Sequence, residues 1–257
     1  MAKCLLMADT FHCVYEMTAI AAMLENVEKI WRRPKEMEDQ KSDFRLKKRE
    51  FVHVAGDHLT LLNIFNAYKC KKTHKPHQLR AFCKSHYWDF ATLQRTQQIR
   101  QQIERILSDI TSRAKQQQQQ QQHVFSWMDH RCNDYYDSIL KCLLSGFFMN
   151  VAVQGFGGKF WTFRVRTLDH AQNVKCVEIV DKASCHPTSV YYKNNARTQR
   201  NWIMFHDIQI SHTVQLRVLS AVQPLWLYQA NPRYYNLHAL SNDKSPIANI
   251  LIASASK

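Results

Sequence analysis

Glycine is scarce in this chain of 257 residues: there are 5, and all but Gly56 lie between Gly146 and Gly158. Phosphate-cradling loops need closely spaced glycines so that backbone N–H groups can approach the anion. Neither GxxxxGKS/T nor GxGxxG occurs, which argues against an autonomous P-loop ATPase or a Rossmann enzyme. No apolar run approaches the roughly 18 uncharged residues a membrane helix requires, so no membrane partner is expected. The opening MAKCLLMADTFHC has one lysine and a short apolar run broken by Asp9 and His12, and does not read as a secretory signal. The 8 cysteines form no CxxC pair, the pattern of reduced, mostly buried thiols in a nuclear or cytosolic protein. With no HExxH and no recognisable acid/base or Ser-His-Asp arrangement, the chain by itself is not expected to be an enzyme.

What is abundant is positive charge. Lys and Arg number 35 against 21 Asp and Glu, a net charge of +14 with a pI near 9.5. Such a surplus favours a polyanionic partner, nucleic acid first, with anionic membrane or acidic protein as competing explanations. A hydrophobic fraction of 45% is enough for a packed core.

Composition changes at residues 116–122, which are all glutamine. A tract without apolar residues cannot be a core element, so it reads as a linker or the extension of a helix. Before it the pattern is helical. Met17, Ile20, Ala21, Met23 and Leu24 recur at helical spacing, and Ile99, Ile103, Ile106, Leu107 and Ile110 form a second face. Pro34 ends or restarts a helix. Asp57 is placed to cap a helix carrying Leu61, Leu62, Ile64, Phe65 and Tyr68. After the tract, 139–153 reads as a helix running into a strand. Strands are expected at 159–166, 174–180, 190–192, 202–210 and 214–222, enough for a small barrel or sandwich.

The motifs then permit a closer comparison. Residues 56–69, GDHLTLLNIFNAYK, resemble the helicase-associated region of DEAH-box RNA helicases, closest to the branch that serves pre-mRNA splicing and ribosome biogenesis. In family order come EMTAIAAML at 16–24, RPKE at 33–36, IRQQI at 99–103 and DYY at 134–136. KCLLSGFFMNVA at 141–152, HPTS at 186–189, PLWL at 224–227 and Tyr234-Tyr235 continue the match into the C-terminal OB-fold module. The sequence departs from the family pattern at Ala91 and Leu140, where arginines are usual. The resemblance implies an α+β protein of two domains, a helical bundle followed by an OB-fold-like β-barrel. The expected limits are 1–115 for the ratchet-like helical domain, 116–122 for the linker, 123–237 for the OB fold and 238–257 for a C-terminal tail. Walker A and DEAH motifs are lacking, so the reading is the accessory half without its two RecA-like ATPase domains.

The expected function is an accessory RNA-binding module. The alternative is a protein-interaction module that docks on spliceosomal proteins or on a DEAH-box ATPase core. Candidate contacts to single-stranded RNA are Arg32, Arg33, Lys35, Lys47, Lys48, Arg49, Lys69, Lys71 and Lys72 in the helical half. Lys159, Trp161, Arg164 and Arg166 are those of the barrel, where aromatics interleaved with cations suit stacking and phosphate contact. Gly56, Asp57, His58, His186, Ser189 and Arg217 are read as structural or interdomain residues. The grouping of Cys70, His74, His77, Cys83 and His86 lacks zinc-ligand spacing, so neither a metal nor another cofactor is expected. The expected location is the nucleus, with the cytoplasm as alternative, and the expected process is mRNA splicing.

Overall fold

The computed structural model describes residues 1–34, 38–71, 75–117, 135–155, 158–169, 174–192, 202–236 and 245–255. Seven helices come first: α1 (Ala2–Met7), α2 (Val14–Leu24), α3 (Glu38–Arg49), α4 (Asp57–Lys71), α5 (Pro76–Ser85), α6 (Phe90–Gln117) and α7 (Tyr135–Phe147). Strands β1 (Val151–Gln154), β2 (Phe160–Asp169), β3 (Val174–Cys185), β4 (Trp202–Ile210) and β5 (Val214–Ala221) follow, then α8 (Pro224–Ala230) and α9 (Pro246–Ala255). The mixed α+β class agrees with the sequence reading.

α2 and α4 are central. In α2 every residue from Met17 to Leu24 is buried, and in α4 burial runs from Asp57 to Leu62 and includes Ile64, Phe65 and Tyr68. α2 is enclosed from Met17 to Leu24 and has no polar face there, whereas α4 is enclosed mainly in its first half and turns Lys69 and Lys71 to solvent. α6 is the opposite case. Its 28 residues pack on the 11 of α2. At about 1.5 Å per residue, α2 covers only the first part of it. The buried positions of α6 are Thr92, Leu93, Thr96 and Arg100, while Ile106 and Ile110 are 58% and 44% exposed. The helix stands where the periodicity predicts it, but its core contact lies earlier than the isoleucine stripe.

The strands pair in a closed circuit, β1-β2-β3-β5-β4, antiparallel except for the short β3–β5 contact. Ala152, Phe160, Ile203, Phe205, Leu216 and Leu219 form the interior cluster. The alternate residues Val151, Val153, Trp202 and Met204 point the other way, into the same apolar cluster as the helices. β1 and the first half of β4, Trp202 to Phe205, are thus buried on both faces, the reason these stretches are apolar without alternation. The helical layer and the barrel share one core. α7, which follows the glutamine tract, packs on α1 and α2, so the layers do not part where the composition changes. Glutamines 118–122 lie outside the described residues.

Two elements differ from the sequence reading. Residues 190–192 form a turn rather than a strand. The chain end is not a tail within 245–255, because α9 buries Ile247, Ala248 and Leu251 against β3 and α8. Its apolar run is long enough for a helix, and the bundle offers it a surface.

Candidate functional site: a buried clasp and the basic surface around it

The start of α4 makes the closest union between the helices and the barrel. Gly56 adopts a φ of +130° and forms a bridge with Ser220 of β5. A Cβ there would lie 2.4 Å from the Leu219 carbonyl oxygen and 2.5 Å from Ser220 Cα, so only glycine permits this approach. Asp57 does not cap its own helix, as its position suggested. Its Oδ1 accepts the Val190 N–H at 2.7 Å and its Oδ2 the Leu219 N–H at 2.8 Å. The Ser189 hydroxyl also hydrogen-bonds this carboxylate. Burial raises the Asp57 pKa above the ordinary carboxylate value, while these donors and the Lys48 ammonium oppose the rise. Val218, next to Leu219, has a φ of 51°, a conformation that costs a β-branched residue about 1–3 kcal/mol.

His58 continues the clasp. Its Nδ1 is 2.9 Å from Ser220 Oγ, and both residues are fully buried. Burial, then the neighbouring His206 ring, pushes the His58 imidazole down to about 3, so it is neutral at pH 7. The Thr60 hydroxyl donates to the Gly56 carbonyl and accepts the His53 N–H, closing the turn that precedes α4.

A second tie runs through the HPTS loop. Lys48 Nζ of α3 donates to the Thr188 carbonyl at 2.8 Å, and burial lowers its pKa. His186 Nδ1 accepts the Thr188 N–H and lies 2.6 Å from its hydroxyl. Burial lowers the His186 pKa, helped by Arg217 and Arg33. Arg217 pairs with Glu28 at 2.6 Å, across from β5 to the helical layer, and approaches Asp207 at 3.8 Å. Arg33, Lys48, His186 and Arg217 therefore converge at one seam. The cleft beside it, about 200 Å³ and lined by residues of 24–29 with His206, Asp207 and Arg217, is below the size of an ordinary ligand pocket.

The other basic candidates are dispersed over the surface. Arg32 pairs with Asp89 and Lys47 with Glu50. Lys69 sits 4.3 Å from the Tyr15 ring and Lys71 5.7 Å from that of Phe82. On the barrel, Lys159 bonds Ser184 and Arg166 pairs with Glu178, while Arg164 and Arg49 are exposed. Trp161 is half-buried, with its ring under Gly155. Lys35, Lys72 and His74 lie outside the described residues. Cys83 is fully buried whereas Cys70 is exposed, and among the described residues no group of His, Cys, Asp or Glu converges as metal ligands do. No described helix is long and apolar enough to cross a membrane.

The sequence reading missed Ser220 and the acceptor role of Asp57, because the partners are 162 residues apart and no local pattern signals the pairing. It named Tyr135 and Tyr136 only within the DYY match and not as contacts, although they are 51% and 40% exposed.

The helical layer is clasped to the small closed barrel through the buried Asp57 carboxylate. Residues 1–61 match the helicase-associated domain (HA2), ratchet-like, and residues 139–234 match the oligonucleotide/oligosaccharide-binding (OB)-fold family. The two matches, in this order, support a likeness to the C-terminal helicase-associated plus OB-fold region of DEAH-box RNA helicases. It is similar to the probable ATP-dependent RNA helicase DHX35 of Pongo abelii, 27% identical over 234 residues, and to that of Homo sapiens, 28% identical over 235. Each alignment covers 91% of this chain but only 27% and 28% of the relatives. The chain thus spans just over a quarter of the length of the curated relatives it matches.

Proposed function

We propose that the chain acts as an accessory RNA-binding module of the DEAH-box helicase type. It grips single-stranded RNA by its backbone, and ATP hydrolysis belongs to a RecA-type core outside these residues. The observation that carries this reading is the exposure of Arg33, Lys69, Lys71, Lys159, Arg164 and Arg166 on a unit clasped into one body. With the net charge of +14, phosphates are the natural counter-ions, and selectivity for sequence is weak. The proposed setting is the nucleus and pre-mRNA splicing.

The test is fluorescence anisotropy with single-stranded RNA across a salt series. Wild type is expected to bind at micromolar concentration or tighter, with affinity falling steeply as salt rises. The triple change Lys159→Glu, Arg164→Glu, Arg166→Glu is expected to flatten the log–log salt slope by about 2, if each cation neutralises one phosphate of a single strand. A folded wild-type protein that ignores RNA at low salt sinks the reading.

The second reading, docking on a helicase core or a spliceosomal protein, is favoured by the exposed Leu6, Ile106 and Ile110. It predicts a wild type that binds a purified DEAH-box core but not RNA, with Ile106→Glu and Ile110→Glu abolishing that complex.

A further inference from the structure

Tyr135 and Tyr136 open α7, and both present their rings to solvent, with exposures of 51% and 40%. Exposed rings are ordinarily loose, but these are held. The Tyr135 hydroxyl donates to Glu16 Oε1 at 2.7 Å. The Tyr136 ring lies 4.3 Å from that of His53, tilted by 50°, and His53 is itself fixed by the Ala55 N–H donated to its Nδ1. The two tyrosine rings are 5.2 Å apart at 68°.

The row continues toward a cation. Tyr15, adjacent in sequence to Glu16 and close enough to influence Tyr135, has the exposed Lys69 ammonium 4.3 Å from its ring. The Arg100 guanidinium lies at the same distance from that ring, but it is buried and paired with Glu104. Lys69 is therefore the cation placed to meet a phosphate. Glu16 is already engaged by the Tyr135 hydroxyl.

We propose that Tyr135 and Tyr136 are a base-stacking step for single-stranded RNA, with Lys69 as the phosphate contact beside it. Every base offers a π-face, so aromatic rings held at an exposed site accept single strands without regard to sequence. Rings held in place before binding lose little side-chain freedom when a base arrives, which raises affinity. The chemistry separates this site from the seam of Arg33, Lys48 and Arg217, where charge is abundant but the rings, those of His186 and His206, are half-buried. The proposal rests on the RNA-binding reading above and adds to it the place where bases, as opposed to phosphates, are met.

The experiment compares wild type, Tyr135→Ala/Tyr136→Ala and Tyr135→Phe/Tyr136→Phe by anisotropy with fluorescent oligouridine at several salt concentrations. Circular dichroism is recorded on each protein. The alanine pair is expected to weaken binding about tenfold or more, as loss of base stacking does, with an unchanged salt slope because no phosphate contact is lost. The phenylalanine pair keeps the faces but gives up the Tyr135–Glu16 bond, and is expected to bind more weakly than wild type yet clearly more tightly than the alanine pair. Lys69→Glu is expected to do the reverse of the alanine pair and reduce the slope. Wild-type protein irradiated with 5-iodouracil RNA is expected to give a cross-link at Tyr135 or Tyr136, a readout independent of the folding of any variant. A wild type that binds RNA but cross-links elsewhere, or an alanine pair that binds equally well, overturns the stacking step and leaves the RNA-binding reading standing. A wild type that binds no RNA overturns both.

Discussion

The carboxylate of Asp57, at the start of α4, accepts the backbone N–H of Leu219 in β5 at 2.8 Å, joining residues 162 apart in the chain. The other carboxylate oxygen accepts the Val190 N–H, so one buried side chain holds both the HPTS loop and the last strand of the barrel to the helical layer. Any movement of the barrel against the helices must first give up these bonds.

Asp57→Ala leaves two N–H groups without their acceptor. A buried unsatisfied donor costs about 1–3 kcal/mol, so a loss of about 2–6 kcal/mol is expected in urea denaturation. Asp57→Asn, which accepts through one oxygen only, is expected to fall between. An alanine variant as stable as wild type would show that the clasp contributes nothing.

Gly56→Ala tests the close approach itself. The added Cβ meets main-chain atoms of Leu219 and Ser220 under 3.0 Å, and the φ of +130° disfavours any side chain. Backbone cannot step aside as a flexible side chain can. A loss of more than about 3 kcal/mol is expected, read as a fall in Tm or in soluble yield.

Stability should depend on pH through His58. Its folded pKa of about 3 lies below the ordinary 6.5. Between these values the unfolded chain binds the proton and the folded protein does not, so stability is complete above pH 6.5 and is lost as pH falls toward 3. The slope is about 1.4 kcal/mol per pH unit for one such histidine. His206, lowered by burial, acts in the same direction. His58→Gln is expected to flatten the profile between pH 6.5 and 4 in thermal melts, and an unchanged profile would place the titration elsewhere.

Ile106→Glu and Ile110→Glu, on the exposed part of α6, are expected to change stability by no more than about 0.5 kcal/mol. A larger loss, accompanied by a change in apparent mass on gel filtration, would show that this stripe is covered in solution.

Much of the architecture was legible in the residue pattern. The period of three and four located α2 and α6, and the strands from 159 to 222 lie near where alternation and turn residues put them. The strand expected at 190–192 fails for a definite reason: Val190 and Tyr191 satisfy their N–H groups on Asp57 and the Ser189 hydroxyl rather than on a neighbouring strand. The helix at 246–255 was overlooked although Ser245, whose hydroxyl accepts the Ala248 N–H, and Pro246 mark its start; the run PIANILIASA has no charged face to show a helical period.

The candidate site divides along the same line. Local sequence determines that 56–62 opens a helix, that most lysines and arginines will face water, and that β-branched and aromatic runs will form strands. These outcomes depend on neighbours within a turn or a pleat. Tertiary structure alone decided that Asp57 binds the barrel instead of its own helix, that His58 loses its charge, and that Tyr135 and Tyr136 stand exposed beside His53. Each depends on desolvation and hydrogen bonding by groups far along the chain, and no periodicity encodes which distant group will arrive.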